Sequence, residues 1–198
     1  MKEMWDEKYA EVKNIYGIKP NSFFERELCK LNPGRLLLPG DGEGRNAAFA
    51  SKLGWSVDSF DYSEQAVRNA KTFLSEQGVK VNYLQASILD EPVSEEKFDA
   101  VGMFYLHLAE ADRPKAHEFI SSSVAKDGYL IVEVFSKKQL GRSSGGPKND
   151  DLLCDISEFE RDFPGFESIY LEELEADLDE GEFHQGKAMV IRFLGKKL

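Results

Sequence analysis

The stretch "LLLPGDGEGRN", residues 36–46, runs from apolar residues into three glycines spaced two apart, Gly40, Gly42 and Gly44, with Asp41 and Glu43 between them. An apolar run that breaks at glycines and passes into a helical pattern reads as a strand ending in a ligand-binding turn, because glycine lets backbone approach a ligand closely. The dinucleotide fingerprint needs G-x-G-x-x-G, and Arg45 stands where its third glycine belongs. No Lys-Ser/Thr pair follows at the P-loop position either.

Electrostatics separates the remaining ligands. A pyrophosphate would seat on the amides of the helix N-terminus, where Asp41 and Glu43 oppose it and Arg45 offsets only part of their charge. A ligand without phosphate and with a cationic centre suits the turn better. S-adenosylmethionine carries a sulfonium and an ammonium, and its carboxylate can pair with Arg45 or with helix amides. Asp61 stands 21 positions after Gly40, where an acid accepts hydrogen bonds from ribose hydroxyls. It supports a nucleoside without choosing which.

Outward from the turn, short apolar strands alternate with amphipathic helices, the pattern of a parallel α/β sheet. The spacing predicts strands at 35–38, 56–61, 81–86, 98–105 and 128–136, with helices at about 43–53, after Ser63, and over 112–126. Trp5, Tyr9, Val12 and Tyr16 predict an N-terminal helix within about 1–17. A short helix opens on a capping box of Ser157 and Glu160 and halts at Pro164-Gly165. Two final strands, about 167–178 and 187–194, have no helix between them and should pair antiparallel. Five strand–helix units and a hairpin give the expected fold: a Rossmann-like, doubly wound, mostly parallel seven-stranded α/β sheet with a C-terminal antiparallel β-hairpin, in one domain over 1–198.

The formal net charge of −11, from 36 acids and 25 bases, speaks against nucleic acid and anionic membrane partners. No segment approaches the roughly 18 apolar residues of a membrane span, and the charged N-terminus is not a signal peptide. Cys29 and Cys154 are too few and too isolated for a disulfide framework or a metal site. A cytoplasmic enzyme with a small-molecule substrate and no metal is the expectation; oligomeric state is left open.

The run "LLLPGDGEGRNAAFASKLGWSVDSFDYSEQAVRNAK" resembles the cofactor half of class I S-adenosylmethionine-dependent methyltransferases. "WDEKY" near the start and "GEGRN" at the turn look most like the branch that includes the tellurite-resistance methyltransferases. The resemblance implies that Gly40, Asp41, Gly42, Gly44 and Arg45 line the methionine part of the cofactor. It further implies Asp61 on the ribose, Tyr62, Ser87 and Ile88 around the adenine, and Phe104 and Tyr105 beneath the methyl group. Two positions depart from the family pattern: Leu38 replaces an acid two residues before the first glycine, and Ser87 replaces an acid near the adenine.

His184, in "EGEFHQG", is placed near the active site by that resemblance, to bind an anion or accept a proton; the alternative is an exposed turn histidine. His107, after the fourth strand, has a packing role as its alternative, and Arg45 completes the catalytic candidates. His117 is expected to be solvated. The loop "KKQLGRSSGGPKND" gathers Lys137, Lys138, Arg142 and Lys148 as a candidate anion lid. Trp5 and Tyr9, one turn apart, are a candidate aromatic lid, with core packing as the alternative. The expected reaction is methyl transfer to a small acceptor such as a thiol or chalcogen oxyanion. Its rivals are a non-enzymatic sensor of the same cofactor and a nicotinamide-dependent oxidoreductase.

Overall fold

Leu36, Leu37 and Leu38 lie at the centre of the sheet and are almost wholly shielded from solvent, as an interior strand covered on both faces requires. The computed structural model describes residues 2–90 and 97–198. The strands are β1 (Arg35–Pro39), β2 (Ser56–Asp61), β3 (Asn82–Gln85), β4 (Phe98–Phe104), β5 (Val124–Phe135), β6 (Phe166–Glu180) and β7 (His184–Lys197). Their order is β3-β2-β1-β4-β5-β7-β6. The first five are parallel, and β7 runs antiparallel to both β5 and β6. This is the expected Rossmann-like sheet with its terminal hairpin.

The helices are α1 (Lys2–Glu11), α2 (Ser22–Leu28), α3 (Arg45–Lys52), α4 (Glu64–Glu76), α5 (Arg113–Ser123) and α6 (Ile156–Asp162). Alternation along β1 divides the core: Leu36 and Leu38 pack with Phe24, Val57 and Phe104, whereas Leu37 packs with Phe60, Val101 and Ile120. In α4 the apolar face is the expected one, Ala66, Val67, Ala70, Phe73 and Leu74, and the Ser63 hydroxyl accepts from the Ala66 amide.

Several boundaries move. The N-terminal helix stops at Glu11, short of the expected 17, and its successor α2 buries Phe23 and Phe24. α3 starts at Arg45 rather than Glu43 because Gly44 caps it in a left-handed conformation. α5 ends at Ser123, short of the expected 126, and β5 already starts at Val124, so Gly128 lies inside the strand. A side chain on Gly128 would meet the Asp99 and Ala125 carbonyls at 2.9 Å. The α6 capping box is Asp155 with Glu158, two residues before the expected Ser157 and Glu160. Among the described residues β3 is followed by a 3-10 turn, Ile88–Asp90, rather than an α-helix.

The chain steps from β1 out to β3 and then returns to place β4 on the other side of β1. The reversal opens a crevice at the carboxyl ends of β1 and β4, where open α/β sheets bind ligands. The glycine turn and Tyr105 stand on its two sides.

Candidate active site

Gly40, Gly42 and Gly44 all have positive φ, 66°, 59° and 83°, which explains why the turn is built of glycine. A Cβ on Gly40 would lie 2.6 Å from Leu106 Cδ1, and one on Gly42 would lie 2.6 Å from the Tyr9 hydroxyl. The turn's two acids have separate tasks. Asp41 accepts from the Ala47 amide at 3.2 Å and from Asn46 Nδ2 at 3.0 Å, so it already occupies the first turn of α3. Glu43 points away from the crevice and accepts from the Asn14 and Ile15 amides at 2.9 and 2.8 Å, tying the segment after α1 to the turn.

A pyrophosphate is therefore doubly disfavoured: an amide it would use is taken, and a carboxylate holds it. Burial pushes Asp41 up to about 7 despite its hydrogen bonds. Asp61 accepts from the Gly42 amide at 3.0 Å and the Ser63 amide at 2.9 Å, and burial pushes it up to about 6. A cationic guest stabilises both carboxylates in their charged form.

Two connected cavities share Gly40, Tyr9 and Tyr105 as walls. The larger, of about 250 Å³, is lined by Asp61, Tyr62, Ser87, Ile88, Trp5 and His107, among others. The smaller, of about 40 Å³, lies over the glycine turn between Asp41, Gly42, Arg45, Phe104 and His184. An apolar slot ending in a buried carboxylate fits a nucleoside, and the glycine cradle beside Asp41 fits an ammonium-bearing tail. The residues present thus fit S-adenosylmethionine. The Ser87 hydroxyl accepts from the Leu89 amide at 3.1 Å, which holds it at the cavity wall.

His184 is buried, not exposed in the turn: only 2% of its surface is accessible. Its ring is enclosed by Tyr16, Tyr105 and Phe135 at 4.4, 4.5 and 5.2 Å between centroids. Nδ1 stands 3.6 Å from Glu180 and has no hydrogen-bond partner among the described residues. Burial lowers its proton affinity more than Glu180 raises it, and Arg45 and Lys8 lower it further. His107 stacks between Trp5 at 6.2 Å and Phe135 at 6.0 Å, and burial lowers its pKa to about 3, helped by His184 and Lys8. Both imidazoles are neutral at pH 7.

Long-range hydrogen bonds fix this side of the crevice. Asn21 donates to Glu133 at 2.6 Å and to Glu180 at 3.0 Å. Its backbone amide donates to Asn46 Oδ1 at 2.9 Å, linking it to the glycine turn. Glu133 also accepts from the Tyr105 hydroxyl at 2.6 Å and pairs with Arg192. These bonds hold Tyr105 at a φ of 51°, strained for a tyrosine and typical of residues at functional sites.

Most sequence-derived site residues converge on the two cavities: Trp5, Tyr9, Gly40, Asp41, Gly42, Arg45, Asp61, Tyr62, Ser87, Ile88, Phe104, Tyr105, His107 and His184. Gly44 stands behind the turn, packed against Ala70 and Leu74. Arg45 is committed: it pairs with Glu180 at 2.7 Å and donates to the Tyr16 and Lys19 carbonyls. His117 is corrected outright. It is 1% exposed and bonded to Asp162 at 2.8 Å, because α6 covers the helix face that sequence periodicity leaves open. In the basic loop, Lys138 pairs with Glu173 and Arg142 with Glu175, so these cations neutralise β6 rather than gather over the cavity. Asn21, Glu133 and Glu180 escaped the sequence reading; a charged residue inside the apolar strand "YLIVEVF" was the available signal.

Residues 37–128 match the family model of a methyltransferase domain. That segment is therefore a methyltransferase domain, the chain as a whole has the class I methyltransferase fold, and such a domain implies S-adenosylmethionine as the cofactor. Among solved structures it is similar to TehB from Haemophilus influenzae, at 15% identity over 98% of this chain and 67% of that one, with a TM-score of 0.77. It is also similar to a protein whose structure concerns conversion of a disulfide into a thioacetal in echinomycin biosynthesis, at 17% identity, 100% and 91% coverage and a TM-score of 0.79. A TehB-like methyltransferase from Corynebacterium glutamicum shares 19% identity over 100% and 98% of the two chains, with a TM-score of 0.66. No curated protein matches the chain.

Proposed function

We propose that this enzyme methylates a small soft nucleophile, a thiol or a chalcogen oxyanion. The observation that carries the reading is the aromatic-walled compartment at the two cavities, which holds two neutral imidazoles, His184 and His107, the first of them facing a Glu180 already paired with Arg45. The likeness to the echinomycin protein supports sulfur as the reacting atom, and the resemblance of "WDEKY" and "GEGRN" to the tellurite-resistance branch supports a heavier chalcogen.

When bound, S-adenosylmethionine supplies an electrophilic methyl carbon. Asp61 would accept from the ribose, Tyr62, Ser87 and Ile88 would flank the adenine, and the glycine turn with Asp41 would receive the methionine end. Arg45 acts by holding Glu180, which in turn faces His184. Phe104 and Tyr105 form the floor. α1 is the lid: Tyr9 reaches over Gly42 and Trp5 walls the larger cavity, so both must yield for entry and then exclude water. His184 accepts a proton from a thiol that arrives un-ionised; an oxyanion needs none. The two free cysteines, Cys29 and Cys154, accord with a reducing cytoplasm.

An acceptor screen that detects S-adenosylhomocysteine release, run on wild type and His184→Ala, tests the reading. Release with thiols, selenite or tellurite is expected from the wild type, and the variant should lose release with thiols. Tight cofactor binding without release across the panel would replace the enzyme by a cofactor sensor.

A further inference from the structure

Lys8 extends from α1 into a box of three rings. Its Nζ lies 4.7 Å from the Trp5 centroid, 5.3 Å from Tyr16 and 4.4 Å from Phe183. It donates one hydrogen bond, 3.0 Å to the Tyr16 hydroxyl. An ammonium has three N–H groups, and among the described residues Lys8 forms no ion pair. Lys30, Arg45, Lys138, Arg142 and Lys187 each meet a carboxylate.

The box also has a direction. Tyr16 is the ring 4.4 Å from His184, and Trp5 is the ring 6.2 Å from His107. The ammonium therefore stands at the rim of the histidine compartment, on the side formed by α1 and the β6–β7 turn. Cation–π contacts stabilise the charge only in part. Half-burial withdraws water from it, and its proton affinity is lowered accordingly. Its remaining donors are suited to an incoming anion, which gains more from the charge in this poorly solvated box than at an open surface.

We propose that Lys8 is the anion receptor of the acceptor compartment and selects small acceptors carrying a full negative charge over neutral ones with the same reacting atom. This rests on the methyl-transfer reading. The charged oxygens of the acceptor rest on Nζ, leaving the sulfur or selenium lone pair to form the new bond to the methyl carbon. The old carbon–sulfur bond breaks, and its electron pair stays on the departing sulfide. No redox partner is required. A thiol proton, where present, passes to His184.

The test compares mercaptoacetate and selenite with neutral 2-mercaptoethanol, on wild type, Lys8→Met and Lys8→Arg. Calorimetric titration into protein saturated with S-adenosylhomocysteine gives each Kd, and S-adenosylhomocysteine release gives each KM. Wild type is expected to prefer an anion, and Lys8→Met to reduce that preference about tenfold or more, the scale of a charge-assisted hydrogen bond. Lys8→Arg should restore most of it. A lysine that merely clamps α1 to the hairpin would weaken neutral and anionic acceptors alike, leaving the ratio unchanged; that result, or wild type without anion preference, overturns the proposal. If the binding preference follows Lys8 but no acceptor is methylated, the receptor stands and the methyl-transfer reading falls.

Discussion

The two sides of the crevice are held by different kinds of bond. On the glycine-turn side, Asp61 reaches the Ser63 and Gly42 amides, 2 and 19 residues away, and Asp41 reaches Asn46 and Ala47, 5 and 6 residues away. On the hairpin side, Asn21 meets Glu133 and Glu180 across 112 and 159 residues, and Arg45 meets Glu180 across 135. The first side falls within the segment that matches the methyltransferase family model, whereas the hairpin lies beyond it. A general cofactor can be served by short, locally determined contacts. The wall proposed to face the acceptor is assembled from distant parts of the chain, and there the buried charges must be paired with one another.

The sharpest way to break this contrast is Glu133→Ala. It strands Arg192, Asn21 and the Tyr105 hydroxyl inside the fold, and removal of one partner of a buried pair costs about 3–5 kcal/mol. A urea melt should show a correspondingly lowered midpoint; an unchanged midpoint would mean the network is not structural. Asp61→Ala probes the other side. Its main expected effect is on S-adenosylmethionine affinity, weakened about tenfold or more by loss of charge-assisted bonds, with a smaller change in the same melt.

His184→Ala should lower kcat about tenfold or more for thiol acceptors while changing cofactor Kd less. The reverse pattern would move His184 from the acceptor wall to the cofactor site. The acids of the turn predict a pH effect. In the free protein Asp41 and Asp61 keep their protons up to about 7 and about 6, chiefly because they are buried. A cationic cofactor favours their ionised forms, so binding releases protons. Affinity should rise with pH through 6–7 and then level off; calorimetry in buffers of different ionisation heat reads both. The smallest effect is expected at Arg142→Ala. Its partner Glu175 is on the solvent side of β6, and the acceptor KM should stay at the wild-type value. A rise would return the basic loop to the active site.

Legibility in the sequence followed the same divide. The apolar run, the positive-φ glycines and an acid at the end of β2 are local signals, and they placed the fold, the turn and Asp61. The lack of a helix between the last two strands likewise announced the hairpin, although β6 runs on to Glu180 and β7 starts at His184. Tertiary cover was not legible. The burial of His117 depends on α6 folding back over α5, and that of His184 on rings from α1's successor turn and β5. Glu43 read as a charge facing the ligand, yet it turns outward to the Asn14 and Ile15 amides. Asp41 carried the argument through a role that spacing does not reveal, occupation of the Ala47 amide in the first turn of α3.

That role gives the most direct test. Calorimetric titration of the wild-type protein with S-adenosylmethionine and, separately, with NAD compares a cationic and a pyrophosphate-bearing nucleoside at one acidic turn. One-to-one binding of S-adenosylmethionine, with no heat from NAD, is the predicted result. Binding of NAD in the absence of S-adenosylmethionine binding would contradict the account.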